Sequence, residues 1–582
     1  MHDLVIRGGT VVDGSGAQPF IADVAIDGDR IVAVGADVGA GREEIDARGR
    51  IVTPGFVDVH THYDGQATWD REMAPSSWHG VTTVVMGNCG VGFAPARPDR
   101  HDWLIGLMEG VEDIPGTALA EGMSWDWETF PEYMDALEKL PRTIDVACHV
   151  PHGAVRAYVL GDREKPGAVP TAEDIAEMSR IVEEGVRAGA LGFSTSRTVI
   201  HKSVDGEVVP GTTATAEELI EIGRAMGRVG YGVFEMASDL NREWNEFDWM
   251  GKLSRETGLP VTFAALQSIA KELPLDEQIE TMRAENAKGA NIVAQIALRG
   301  NGIIMAWRGT VHPFRFRPSW RAIEALSWDE QKAKLLDPAF RARLLAEEND
   351  FSEVPKDIMG LLMVVAGGWT MQFEMDEDFD YEPGPEASIA ARAAAAGVDP
   401  AAYAYDLLCR DDGAGFAYLP ILNYADGNLD FLEALQDADD TVNSLSDGGA
   451  HCGTICDAAS PTFMLQHWVR DRKRGGHIPL ERAIKRQCRD TALLYGLEDR
   501  GLIAPGYLAD INVVDMERIR LGKPWLAFDL PAGGKRLLQK ADGYDATIKS
   551  GVVTFRGGEG QGAYPGTVIR GPQRVELAMA AE

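Results

Sequence analysis

The segment Thr53-Pro54-Gly55-Phe56-Val57-Asp58-Val59-His60-Thr61-His62 carries the densest chemistry in the chain. Its apolar run reads as a β-strand, and alternation along a strand puts His60 and His62 on the same face. Two neutral imidazoles facing one way are natural ligands for zinc or a similar divalent ion. If the strand belongs to a parallel barrel, its carboxyl end lies at the face where such barrels do their chemistry. A lone His-x-His is more often a chance or core pair than a metal site. Its place after a Pro-Gly-Phe-x-Asp strand and a β-rich amino-terminal region favours metal binding.

Around this motif the chain falls into two textures. Short strands open it (Leu4-Val5-Ile6, Thr10-Val11-Val12, Asp23–Ile26, Ile31–Val34), separated by Gly-Gly, Asp-Gly and Gly-Asp pairs. Similar strands close it: Ala509–Val514, Ala546-Thr547-Ile548 and Val552–Phe555. Two β-rich ends around a different middle predict that the termini meet in one small β domain. In the middle, Thr171-x-x-Asp174 and Thr215-x-x-Glu218 each open a helical pattern, closed by Gly189 and Gly230. Strand-like Ala190–Phe193 and Tyr231–Phe234 follow. Repeats of ~30–40 residues of this kind predict βα units on a parallel sheet, and many in succession favour a closed (β/α)8 barrel. Residues 302–415 break the rhythm, with Trp307, Phe314, Phe316 and Trp320 among prolines and arginines. They read as an insertion packed over the barrel mouth, structural in the first place and a lid in the second. The expected division is 1–55 and 499–582 for the small β domain and 56–498 for the barrel with its insertion.

Of 582 residues, 45% are hydrophobic and 25% charged, which excludes wholesale disorder. Lys and Arg number 56 against 90 Asp and Glu, a formal charge of −34, so nucleic acid and anionic membrane are poor partners. Six cysteines in so long a chain do not make a disulfide framework, and the opening residues carry no basic-then-apolar signal. The expectation is a cytoplasmic protein with reduced thiols. Oligomeric state is left open, a homo-oligomer included.

The chain resembles the amidohydrolase superfamily, and within it the N-acyl-D-amino-acid deacylase group, almost end to end. The resemblance rests on the opening Leu4–Gly14, the His60-x-His62 segment, Gly87-Asn88-Cys89-Gly90, Asp447 and the returning Ile503-Ala504-Pro505-Gly506-Tyr507-Leu508-Ala509-Asp510. It implies an α/β fold: a (β/α)8 TIM-like barrel with a small β-sandwich-like domain built from both chain termini. It makes Cys89, after the strand Val81–Met86, a metal ligand where a free cysteine would otherwise read as a small buried hydrophobe. It makes Asp447, after the strand Val442–Ser446, the general base and acid and a possible metal contact, where Asp-Gly-Gly alone reads as a turn.

The chain also departs from the family. Strand five ends in Glu235 where relatives carry a histidine. Strand six, Val261–Gln267, has none, and the lysine that follows it in relatives is missing. Glu235 is therefore a substitute ligand candidate, and Gln267 the polar group left at the mouth. His152, Arg197, His201 and His451 lie after other strands and are candidate substrate contacts, with loop histidines satisfied by backbone as the alternative for the three imidazoles. The expectation is a metal-dependent hydrolase of a carbon–nitrogen bond in a small-molecule amide. One tightly bound divalent ion, zinc favoured, sits on His60, His62 and Asp447, with Cys89 and Glu235 as further ligands and a second ion weak. The favoured substrate is bulkier than a simple N-acetyl-D-amino acid and touches the aromatic insertion around Trp307 and Trp320. The alternatives are a non-catalytic scaffold on the same fold and a cyclic-amide hydrolase or deaminase.

Overall fold

The computed structural model describes residues 1–268 and 272–575. The last residues of the expected 499–582 segment, beyond 575, lie outside that range. Eight parallel strands run in sequence order: β1 (Phe56–Asp58), β2 (Val81–Met86), β3 (Asp145–Pro151), β4 (Gly192–Arg197), β5 (Val233–Ser238), β6 (Val261–Ala264), β7 (Ile292–Ile296) and β8 (Thr441–Asn443). The ring closes above the strand ends. Thr61 bridges Gly448, Asp447 N donates to His60 O at 3.2 Å, and the Ser446 hydroxyl donates to the Asp58 carboxylate. The end of β8 is thereby stitched to the end of β1, which brings residues 385 or more positions apart into one site. This is a TIM barrel.

The helices between the strands form where the sequence caps them. Ala172–Ala188 begins at a reciprocal capping box between Thr171 and Asp174, and Ala216–Val229 begins where Thr215 accepts from Glu218 N. Met178, Ile181, Val182 and Val186 of the first bury one face against the barrel. Each such side chain stabilises the fold by about 1.5–3 kcal/mol relative to exposure. β8 is shorter than the sequence predicts, because Leu445 and Asp447 adopt left-handed φ angles of 58° and 48° and break the strand at Asn443.

Both termini share one nine-stranded sheet. Ile51–Pro54 from the amino-terminal part pairs antiparallel with Ile511–Val514 from the carboxyl-terminal part. Leu4, Ile6, Val24, Val52, Ile511 and Ile548 form its core, a small β-sandwich-like unit beside the barrel.

The insertion builds a three-stranded sheet (Asn301–Met305, Phe373–Met375, Phe416–Leu422) with a hydrophobic core of its own. That core corrects one expectation. Trp307 and Trp320 are 2% and 3% exposed and stack on each other with ring centroids 5.0 Å apart, so neither indole is open to a substrate. Among the described residues no helix is long and apolar enough to cross a membrane.

Candidate metal centre

At the carboxyl end of β1, His60 and His62 point to the same side, 1% exposed each. Cys89 reaches them from the turn after β2. That turn needs glycine twice: Gly87 and Gly90 have φ of 82° and 68°, and a Cβ on either would sit within 3 Å of backbone in β3 or β4. Between them the Asn88 amide donates to Thr61 O and Val85 O, both at 3.0 Å, tying the turn to the histidine loop. Cys89 Sγ then lies 3.4 Å from His60 Nε2. Ligand atoms of His60, His62 and Cys89 all lie within 4.8 Å of one another, and among the described residues no other group has that spacing. Asp447 Oδ1 is 3.5 Å from His60 Nε2 and 3.6 Å from His62 Nε2.

These separations suit an ion. Bond lengths of ~2.0–2.3 Å to nitrogen and sulfur in a tetrahedral zinc site put neighbouring ligand atoms about 3.3–3.7 Å apart. The donor set of two imidazoles, a thiol and a carboxylate is also one that zinc accepts. The residues present fit a divalent metal.

Electrostatics assigns the groups different states. Burial pushes the His60 imidazole down to about 4, leaving it neutral. Burial works the same way on His62, but the charge of Glu112 and the contact with Asp447 outweigh it and raise its pKa to about 9, so a metal would have to displace that proton. Burial, joined by the charges of Glu235, Glu112 and Asp447, drives the Cys89 thiol well above its usual value, and only a cation would hold it as thiolate. Asp447 is also opposed by burial, yet the hydrogen bond from His62 and the neighbouring imidazoles, His60 among them once acid protonates it, keep it below the ordinary carboxylate range. Its side chain is 19% exposed while the two histidines are nearly closed off, so an ionised carboxylate stands at the solvent side of the cluster.

Glu235 stands differently. Its Oε2 accepts from Cys89 N at 3.1 Å, while Oε1 has no hydrogen-bond partner and lies 3.8 Å from Nδ1 of His60, the nitrogen turned away from the cluster. Burial raises its carboxyl to about 8, so it is protonated near neutral pH. It is not part of the ligand-spaced group.

Of the candidate substrate contacts, two stand at the mouth. His451 Nε2 is 3.7 Å from Glu112 Oε2, and its ring is partly open to solvent. His201 bonds Ser196 Oγ, near the end of β4, at 3.0 Å, and burial pushes its imidazole down to about 3. Three others are held elsewhere. His152 spends both ring nitrogens, on Thr195 Oγ1 at 2.8 Å and Glu218 Oε1 at 3.0 Å. Arg197 donates to Glu246 at 2.7 Å and to Ala214 O. Gln267 is fastened to the 423–426 loop through Asp426 at 2.7 Å and Ala425 N at 3.1 Å.

The structure adds groups that the sequence reading did not single out. Glu112, at the end of the helix His101–Glu112, places Oε1 3.4 Å from His62 Nδ1. Gln295 on β7 accepts from His60 Nδ1 at 2.7 Å. His149 on β3 is buried against Tyr495, ring centroids 5.4 Å apart, and neither of its nitrogens has a hydrogen-bond partner. No local motif marks them.

The model of the amidohydrolase family Amidohydro_3 matches residues 43–555. The chain belongs to the amidohydrolase family. A D-aminoacylase of Alcaligenes xylosoxydans xylosoxydans is 37% identical over 229 residues, 39% of this chain and 43% of that protein. The match thus spans about two fifths of the length of the curated relative. Among solved structures, a D-aminoacylase described as having a binuclear metal centre superposes with a TM-score of 0.65 at 24% identity, covering 98% of this chain and all of the other. An N-acyl-D-glutamate deacylase of Bordetella bronchiseptica, complexed with zinc and a phosphonate inhibitor, gives 0.62 at 22% identity over 98% and 99% of the two chains. At these identities the superpositions establish the shared fold.

Proposed function

We propose that this member of the amidohydrolase family is a metal-dependent hydrolase of a carbon–nitrogen bond in a small-molecule amide, of the N-acyl-D-amino-acid deacylase type. The observation that carries the reading is the convergence of His60 Nε2, His62 Nε2 and Cys89 Sγ beside an ionised, partly exposed Asp447. His60, His62 and Cys89 would hold the ion, zinc favoured, with Asp447 at its open side and Glu235 behind His60. When bound, such an ion polarises the scissile carbonyl and supplies a water that ionises near neutral pH. Asp447 accepts the proton from the attacking water on a carboxylate oxygen and returns it to the departing nitrogen. His451 and His201, at the same mouth, are placed to donate hydrogen bonds to the substrate. His152, Arg197 and Gln267 act on it only through the loops they brace. The six free cysteines support a reducing, cytoplasmic setting.

The substrate reading follows from what the mouth offers. No lysine lies within the strand-six segment Val261–Gln267, Gln267 is turned into a loop, and Glu235 is neutral, so neither of these two residues offers a positive charge to a small substrate carboxylate. Val199 and Ile200, the two residues before His201 in the chain, are 45% and 64% exposed, and in this reading they take the contact with a larger acyl or amine portion that the buried Trp307 and Trp320 cannot. The expected outcome is a higher kcat/KM for bulky neutral amides than for N-acetyl-D-methionine, measured on the zinc-loaded chain. The reverse order would refute the substrate reading and leave the hydrolase reading in place, whereas no amide turnover together with no bound metal would refute both.

A further inference from the structure

The interior of the barrel beneath the metal centre holds a polar chain that runs from His60 through Gln295 on β7 to Thr262 on β6, the strand without a histidine. His60 Nδ1 donates to Gln295 Oε1 at 2.7 Å across 235 residues of sequence, fully buried. The amide of Gln295 is itself oriented from both sides. Its Nε2 donates to Thr262 Oγ1 on β6 at 3.0 Å, and its Oε1 also accepts from the Ser444 hydroxyl, just past β8, at 3.3 Å. With Oε1 toward His60, the proton of that imidazole is fixed on Nδ1, and the Nε2 lone pair is aimed at Cys89 Sγ and Asp447 Oδ1. The opposite tautomer would bury two acceptors against each other and leave Nε2 unable to ligate.

We propose that Gln295 is a positioning residue for the metal centre, fixing the tautomer and ring orientation of His60 through an amide that Thr262 and Ser444 lock in place. The inference rests on the metal-centre reading above. A metal-ligating histidine typically has its second nitrogen bound to an outer partner, and losing that partner costs ~10–100-fold in metal affinity. Here the partner is a neutral amide on β7, braced by the strand that carries no histidine. β6 therefore contributes to the site by holding the group that holds His60, instead of by touching an ion.

The test is zinc affinity by chelator competition on the full chain, with far-UV circular dichroism and the thermal midpoint as checks of folding. Gln295→Leu keeps the volume and removes the acceptor, and is expected to weaken zinc by ~10–100-fold. Gln295→Glu restores an acceptor for Nδ1 and is expected to return to parent affinity or better, a rescue that a purely packing role would not give. Thr262→Val leaves Gln295 in place but frees its amide, and is expected to cost a smaller factor; it carries the test if the leucine variant does not fold. Parent affinity in both Gln295→Leu and Thr262→Val, or a Gln295→Glu variant as weak as Gln295→Leu, would overturn the assignment. A parent chain that binds no tight zinc would instead overturn the metal-centre reading, and this inference with it.

Discussion

On the side of the mouth formed by β1, β2 and β8, four side chains aim at one small volume: His60, His62, Cys89 and Asp447. On the side formed by β5, β6 and β7, the inward groups aim at the back of His60 instead. Glu235 Oε1 lies 3.8 Å from Nδ1 and Gln295 Oε1 2.7 Å from it. The two sides are built from the same βα unit, so the difference is not one of scaffold. It lies in which nitrogen of one imidazole each side addresses. The first side presents the candidate ligand atoms themselves, and the second presents neutral groups, one of which, Gln295, holds the far nitrogen of His60. In the proposed metal centre, that division would let neutral groups at short range on one side orient a ligand that belongs to the other.

The largest effect should come from breaking the first side. If His62 and Cys89 are ligands as proposed, His62→Ala or Cys89→Ala should lower zinc affinity by more than the ~10–100-fold expected of an outer partner, with turnover lost in step. Retention of both in either variant would dissolve the distinction between the sides. Next comes Asp447→Asn, which should hold metal and substrate but lose ~10²–10⁴-fold or more in kcat, the usual weight of general acid–base catalysis. A drop of only a few-fold would move the proton transfer to another group, His451 first.

A smaller and separable effect is expected from the insertion. Trp307→Ala empties a position in a core that does not touch the metal side chains, and should cost about 3–5 kcal/mol of stability with zinc affinity unchanged. Denaturant unfolding alongside a zinc titration would show it. A fall in metal binding would mean that the insertion braces the mouth.

The smallest effect is predicted for Glu235→Gln, since the amide mimics the protonated carboxyl. In the metal-free chain the folded-state pKa of Glu235 is about 8 against an ordinary 4.5. Its contribution to stability is then fully present below about 4.5 and is lost as the pH rises through 8. The glutamine variant should flatten that part of the stability profile and leave zinc affinity near the parent value. A large loss of zinc would make Glu235 a ligand after all.

The sequence makes the first side legible because its information is local. His-x-His is two residues on one strand, Gly-Asn-Cys-Gly is one turn, and Asp447 follows a recognisable strand. The second side is opaque for the opposite reason. Gln295 lies in Ile292-Val293-Ala294-Gln295-Ile296, which reads as any strand with one polar residue, and its partner is 235 positions away. Glu112 ends a helix whose last residue shows no sign in sequence of facing a histidine. Arg197 illustrates the converse. A cation after a barrel strand looks available until Glu246, 49 residues on, is seen to occupy it. The aromatic insertion was visible as aromatic, but whether those rings face inward depends on a core made of segments from Ile303 to Leu419. Fold class, by contrast, needed only the repeat of capped helix and strand and the matching texture of the two ends.

The most direct test of the account is a zinc titration of the chelator-stripped chain, run in parallel on the parent, His62→Ala and Glu235→Gln. One tight equivalent is expected in the parent, none in His62→Ala and one in Glu235→Gln. Two tight equivalents in the parent, or a single one that survives His62→Ala and disappears in Glu235→Gln, would contradict it.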